Sequence, residues 1–267
     1  MNKFCCPAYF CLMMITQVVA PACAEEAAQK TEENKPRRVG PLFSHVYLDN
    51  VLHRHVREGR FDYQSAKSDE DLTKYIASLE LAEPQEFISE EQQIAFWINA
   101  FNACVIKGVV DHYPVKSVKQ IPNFWTEKRY NIAGTLFSLS GIETEIKKRM
   151  RFPQIVFALC RGSISGPAIP DSAYHSYDVV DRLDKLTKQL VNDPDYVRVD
   201  KIGNRVFLSQ LFRWWQDEFE KECGGVAQFL ISYLGSKQQV DAKYMIHNTQ
   251  YTISYLPWNW KLNDIPR

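Results

Sequence analysis

The sequence predicts an α+β fold, a single helix-rich globular domain over residues 42–267 with a small, mostly antiparallel sheet. Three observations point there. One long helix is apolar almost all round, short alternating runs break at glycine tips, and helices and strands interleave with no regular βα period or internal repeat. With 267 residues, 45% of them hydrophobic and 13% aromatic, the chain can bury the core that such a fold needs.

The elements follow in order. From Leu42, the apolar residues Phe43, Val46, Tyr47 and Leu52 recur at helical spacing until Gly59 closes the helix. Ser68 caps a second helix, with Asp71 answering three residues later, and Leu72, Tyr75, Ile76 and Leu79 form its inner face. Ser89 and Gln92 repeat that device and open "EEQQIAFWINAFNACVIKGVVDHY", which stops before Pro114 and runs through the middle of the domain. In "RYNIAGTLFSLSGIETEI", two short strands turn about Gly134 and lead into a helix capped by Ser140, with Glu143 in the reciprocal position. "QIVFALC" reads as a strand buried on both faces. Ser176 caps a helix through "VVDRLDKLTKQLV", and "VRVDKIGNRVFLS" is a hairpin with Gly203-Asn204 at its tip. Two helices follow, "QLFRWWQDEFEKE" ended by Gly224-Gly225 and "VAQFLISYL" ended by Gly235. "YTISYL" is the last strand.

The first 24 residues have the layout of a secretory signal: Lys3, an apolar segment from Phe4 to Val19, and Ala22-Cys23-Ala24 before two glutamates. Cleavage after Ala24 gives a periplasmic or secreted product. Lipidation at Cys23 is the lesser expectation, because Ala20-Pro21-Ala22 is a poor context for it. Residues 25–41 are charged and nearly free of large apolar groups, so they form a disordered linker. No second long apolar run follows the signal segment, so the mature chain is expected to be soluble, with no transmembrane segment. Lys3 is the sole charged side chain removed with the signal, and the whole chain balances 32 basic against 32 acidic residues. Such near-neutrality gives no electrostatic footprint for nucleic acid. Cys104, Cys160 and Cys223 remain, too few and too dispersed for a disulfide framework.

Several residues compete for a functional role. Asn99 and Asn102 share a face of the central helix, where they either tie neighbouring loops to it or bind a ligand. In "ALCRGSISGPAI", Ser163 and Ser165 flank Ile164, so a nucleophile elbow fails by one position. Serines in such a turn bond their own backbone, unless His175, ten residues on, points back as a base. Glu143 is either a cap or, if buried, an acid or base. His53 and His55 cannot share a helical face, and His45, His112, His175 and His247 have no ligand spacing, so no metal and no cofactor are assigned. Trp214-Trp215 and Trp258-Asn259-Trp260 pack in the core or line a groove, with Trp258 or Trp260 partly exposed.

The ordered occurrence of "GRFDY", "QQIAFWINAFNACVIKGVV", "FSLSGIE", "FALCRGSISGPAI", "VFLSQLFRWWQDEF" and "WNWKLND" resembles the domain-of-unknown-function 547 family over nearly all of residues 42–265. Its most specific element is Phe96-Trp97-Ile98-Asn99-x-x-Asn102. The resemblance implies exported bacterial or plant proteins with no settled activity. It also implies a histidine at position 144 and cysteines at 161 and 166, where this chain has Thr144, Arg161 and Gly166. A thiol beside an imidazole would be a nucleophile or a metal site. With both replaced, the resemblance places Arg161 near Glu143, either paired with it or projecting into solvent. The function expected is a non-catalytic binding or interaction domain that has lost the family's Cys/His site and takes a small molecule, peptide or protein. The alternative is a hydrolase or acyl-transfer enzyme using Glu143 with Ser163 or Ser165.

Overall fold

The computed structural model describes residues 42–234, 239–248 and 250–266. The signal segment 1–24 with Cys23, the linker 25–41 and Gly235 lie outside them. Helix α1 (Val46–His55) buries Leu48, Val51 and Leu52 and leaves Val46 and Tyr47 exposed. It ends at His55, four residues before Gly59, because the chain turns into a hairpin of β1 (Val56–Arg57) and β2 (Arg60–Phe61). Gly59 sits in that turn at φ 75°, and a Cβ there would meet the Cβ of Ala168 at 2.7 Å. Helix α2 (Glu70–Glu80) is capped by Asp69, whose carboxylate accepts from the Asp71 N–H; Ser68 instead ends a 3₁₀ turn. Leu72, Tyr75 and Leu79 face inward.

Helix α3 (Glu90–Val110) opens on the full capping box: the Ser89 hydroxyl accepts from Gln92 N, and the Gln92 carbonyl accepts from Ser89 N. Nearly every residue from Ile94 to Val110 is buried. Among the described residues it is the one helix long and apolar enough to cross a membrane, and its apolar window is 89% buried within the fold. That burial identifies it as a core helix, around which α2, α4 (Leu139–Arg149) and α5 (Val179–Val191) pack. The buried apolar residues form one continuous cluster from Leu48 to Leu262.

Strands β3 (Tyr130–Ile132) and β4 (Thr135–Phe137) pair antiparallel about Ala133-Gly134 and lead into α4. The cap of α4 is Ser138, which has extended ψ and accepts from Gly141 N at 3.1 Å. Ser140 already lies inside the helix and donates to the Trp125 carbonyl, so Glu143 is released from the capping role its spacing implied. "QIVFALC" is no strand: Pro153–Ala158 is a 3₁₀ helix, with Leu159 and Cys160 following outside it. Pro153 presets the helical φ at the first position, and a short, fully apolar run carries no period that separates buried strand from buried helix. Ser176 caps nothing. The N-cap of α5 is Asp178, whose carboxylate accepts from His175 N.

Strands β5 (Val197–Asp200) and β6 (Arg205–Leu208) form the expected hairpin, Val197 opposite Leu208 and Asp200 opposite Arg205. The predicted "QLFRWWQDEFEKE" helix breaks at Trp215 into α6 (Gln210–Trp214) and α7 (Gln216–Cys223), and Gly224 closes α7 in the left-handed region. After α8 (Val226–Tyr233) comes α9 (Gln239–His247), which the sequence pattern did not reveal, and then β7 (Thr252–Tyr255). β7 pairs parallel to β6 in register Arg205–Thr252 to Leu208–Tyr255, a pairing that requires the intervening helical crossover. The fold is mixed α+β, mostly helical, with three small sheets among the described residues in place of one.

The chain beyond β7 positions the site. It crosses the turn at 161–166, where Ile164 N donates to Lys261 O and Ser165 N to Asn259 O. It then reaches the first hairpin, where Phe61 N donates to Asn263 O and the buried Tyr63 hydroxyl to the Asn263 side chain. Trp258 and Trp260 are thereby fixed against the serine turn. Gly162, at φ 57°, lets this turn approach the core so closely that a Cβ would lie 2.8 Å from Val118 Cγ1.

Candidate functional site

Glu143 and Arg161 meet between α4 and the 161–166 turn. Arg161 Nη1 donates to Glu143 Oε2 at 2.8 Å and Nη2 to Oε1 at 2.7 Å, a bidentate pair with side chains 6% and 16% exposed. Trp215 Nε1 donates to the same Oε1 at 2.6 Å. The break between α6 and α7 thus leaves Trp215 buried with its indole on the carboxylate. Burial alone would push the Glu143 carboxyl up. The Arg161 charge and hydrogen bonds, the Trp215 bond and nearby Lys147 outweigh it and hold the group at about 2.

The guanidinium lies over three rings: Phe101 at 5.6 Å, Trp125 at 5.9 Å and Trp214 at 5.4 Å. These groups open onto a cleft of about 530 Å³ lined by Trp125, Glu143, Thr144, Lys147, Arg161, Trp214 and Trp260, with Ser140 at its side. Trp214 packs on Trp260 at 6.0 Å and on Trp258 at 4.6 Å between centroids. Lys147 donates to the Trp214 carbonyl at 2.8 Å and pairs with Glu218 at 3.2 Å. Positions 144 and 161, where the resemblance implies an imidazole and a thiol, line this one cleft.

The other candidate residues fall elsewhere. Asn99 exchanges two hydrogen bonds with the Tyr174 backbone, at 2.7 and 2.9 Å. Asn102 donates to Ala158 O and accepts from Cys160 N, both at 2.8 Å. Each buried amide therefore fastens a loop to α3. Ser163 is buried and its hydroxyl accepts from Trp258 Nε1 at 3.0 Å; the Ser165 hydroxyl accepts from Asn259 N at 2.9 Å. The serines bond the C-terminal segment, where their turn setting implied their own backbone, and among the described residues no histidine or carboxylate bonds either hydroxyl.

His175 belongs to a second, smaller cleft, with Nε2 3.2 Å from Asp49 Oδ2 and its ring 5.8 Å from that of His45. Two histidines that looked scattered thus come together, though among the described residues no group of three or more ligating side chains converges on a metal position. His53 is exposed, while His55 is buried on Asp69 at 2.7 Å. Of the tryptophans, Trp215 packs in the core, while Trp214, Trp258 and Trp260 are half-buried.

Sequence reasoning missed Trp125 and Lys147. The second had a signal, since Lys147 stands four residues after Glu143 and shares its helical face. Trp125 reaches the cleft only through the loop that accepts from Ser140, a tertiary fact.

Comparison with curated proteins found no match, and comparison with solved structures found none either. The family model described as "Protein of unknown function, DUF547" matches residues 85–191. That stretch holds the asparagine helix, Glu143 and the Arg161 turn, while "GRFDY", "VFLSQLFRWWQDEF" and "WNWKLND" lie outside it. The chain carries a domain of the DUF547 family at residues 85–191.

Proposed function

We propose that the mature chain is an exported, non-catalytic binding domain whose ligand occupies the tryptophan-walled cleft around Arg161 and Glu143. The observation that carries this reading is the saturated carboxylate. Both Glu143 oxygens accept from Arg161 and one also from Trp215, so the group is ionised near neutrality and has no proton to give. Arginine offers five donors and no lone pair, so position 161 supplies no nucleophile. The ligand is a small molecule, peptide or protein, and the balanced charge of the chain argues against nucleic acid. Export rests on the Lys3, Phe4–Val19 and Ala22-Cys23-Ala24 layout.

Two measurements test this. A serine-directed fluorophosphonate probe should leave the folded protein unlabelled; labelling that vanishes in Ser163→Ala or Ser165→Ala would establish the acyl-transfer alternative instead. Intact mass of protein from a periplasmic fraction should begin at Glu25, and a retained N-terminus or a lipid adduct on Cys23 would refute soluble export.

A further inference from the structure

We infer that the ligand of the Arg161 cleft is an acidic saccharide, stacked on Trp214 and Trp260 with its carboxylate toward the surrounding lysines. This rests on reading the cleft as a binding site, and three observations narrow the ligand. The first is ring faces. Trp125, Trp214 and Trp260 are half-buried and give the cleft a rigid indole wall, which suits a partner with a flat C–H face. The second is donors. Among the described residues the indole N–H groups of Trp125, Trp214 and Trp260 donate to no protein acceptor, and Arg161 Nε is buried without a partner. Indole and guanidinium nitrogens donate only, so the complementary molecule is rich in acceptors.

The third is charge. Arg161 and Lys147 line the cleft and Lys119 sits over Trp260 at 4.9 Å, against the carboxylates Glu143 and Glu218. Glu143 is fully engaged and Glu218 is paired with Lys147, so the unmatched charge is positive. A cationic ligand would be repelled by the like charges of Arg161, Lys147 and Lys119. An aromatic carboxylate would match the charge but would leave most of the donors without acceptors. A sugar acid supplies the apolar ring face, the rim of hydroxyl acceptors and the negative charge together.

The experiment is a tryptophan-fluorescence titration of the purified full chain with trigalacturonate, beside maltotriose, benzoate and choline, with the indole N–H resonances followed by NMR. Trigalacturonate should give saturable binding that weakens with salt. Trp260→Ala should weaken it about tenfold or more, with Trp260→Phe restoring much of the loss. Lys119→Ala, a change at an exposed side chain, should weaken trigalacturonate by a larger factor than it changes maltotriose binding. Maltotriose or choline binding as tightly as trigalacturonate would overturn the acidic-saccharide assignment. Benzoate binding that Trp260→Ala abolishes, with no saccharide bound, would overturn it too and leave the binding cleft standing. If neither these probes nor a small-molecule extract moves the Trp125, Trp214 or Trp260 resonances, both the assignment and the binding reading fall.

Discussion

The Arg161 cleft and the His175 cleft each bury an ionisable side chain, and they resolve the burial in opposite ways. Glu143 is covered on most sides, yet a fixed guanidinium and an indole N–H face it, and the carboxyl is held at about 2. His45 is 7% exposed and meets the Tyr75 hydroxyl at 2.8 Å and the ring of His175. Among the described residues no carboxylate bonds it. Burial, helped by the neighbouring imidazole, lowers it to about 3, so His45 is neutral at any ordinary pH. The lesson is that burial by itself does not decide the charge of a group. An opposite charge locked in hydrogen-bonding geometry keeps the ion, and without one the group gives it up.

The strongest way to break this contrast is to remove the locking charge. Arg161→Ala strands the Glu143 carboxylate beside apolar rings and should cost about 3–5 kcal/mol in chemical denaturation. Glu143→Ala should cost a comparable amount, since it strands Arg161. The double variant should be less destabilised than the two singles summed, because neither charge is then left alone. Additive, small losses would mean that the pair is solvated in solution and that the cleft is not locked.

The second test uses the two pH windows. His45 titrates lower in the folded chain than its ordinary 6.5, so between about 6.5 and 3 the unfolded chain binds more protons. Its contribution therefore erodes stability as pH falls below 6.5, by up to about 1.4 kcal/mol per pH unit. Glu143 is depressed from 4.5 to about 2, so its contribution is whole above 4.5 and is lost as pH falls toward 2. His45→Gln, whose amide can still bond the Tyr75 hydroxyl, should flatten the stability curve between pH 6 and 5 while keeping the loss below 4.5. Glu143→Gln should do the reverse. A His45→Gln curve as steep as that of the parent chain between pH 6 and 5 would show that His45 is solvated and titrates normally.

Much of the frame behind these sites was legible because its causes are local. The Ser89–Gln92 box, the turn at Ala133-Gly134 and the 197–208 hairpin depend on neighbours within a few residues, and each forms where the pattern predicts. The misreadings arise where local chemistry is degenerate. Ser138 and Ser140 are both competent caps two residues apart, and backbone direction at Ser138 decides between them. "QIVFALC" is apolar throughout, so no period betrays its 3₁₀ turn. The Arg161–Glu143 contact was reachable only because the resemblance set positions 144 and 161 near each other. The meeting of His45, Asp49 and His175 left no trace in the sequence, since it depends on how the loop before α5 passes α1.

The smallest effect tests the same rule on a thiol. Cys160 adjoins Arg161 in the chain, and a nearby guanidinium ordinarily favours the reactive thiolate. Here burial dominates and pushes the Cys160 thiol up to about 12, against the weaker pulls of the Gly162 backbone bond and the Arg161 charge. The guanidinium is turned to Glu143 and is not spent on the sulfur. Cys104, fully buried in α3, is also pushed up by burial. Cys223, the last residue of α7, is raised too but is only half-buried and has solvent access. Iodoacetamide on the native protein at pH 8 should therefore modify Cys223 first, as read by peptide mass spectrometry. Cys104 and Cys160 should react only as fast as the chain opens, so a small amount of denaturant should raise their rates while leaving that of Cys223 nearly constant. Labelling of Cys160 ahead of Cys223 without denaturant would mean that Arg161 reaches the sulfur and that its pairing with Glu143 is not exclusive.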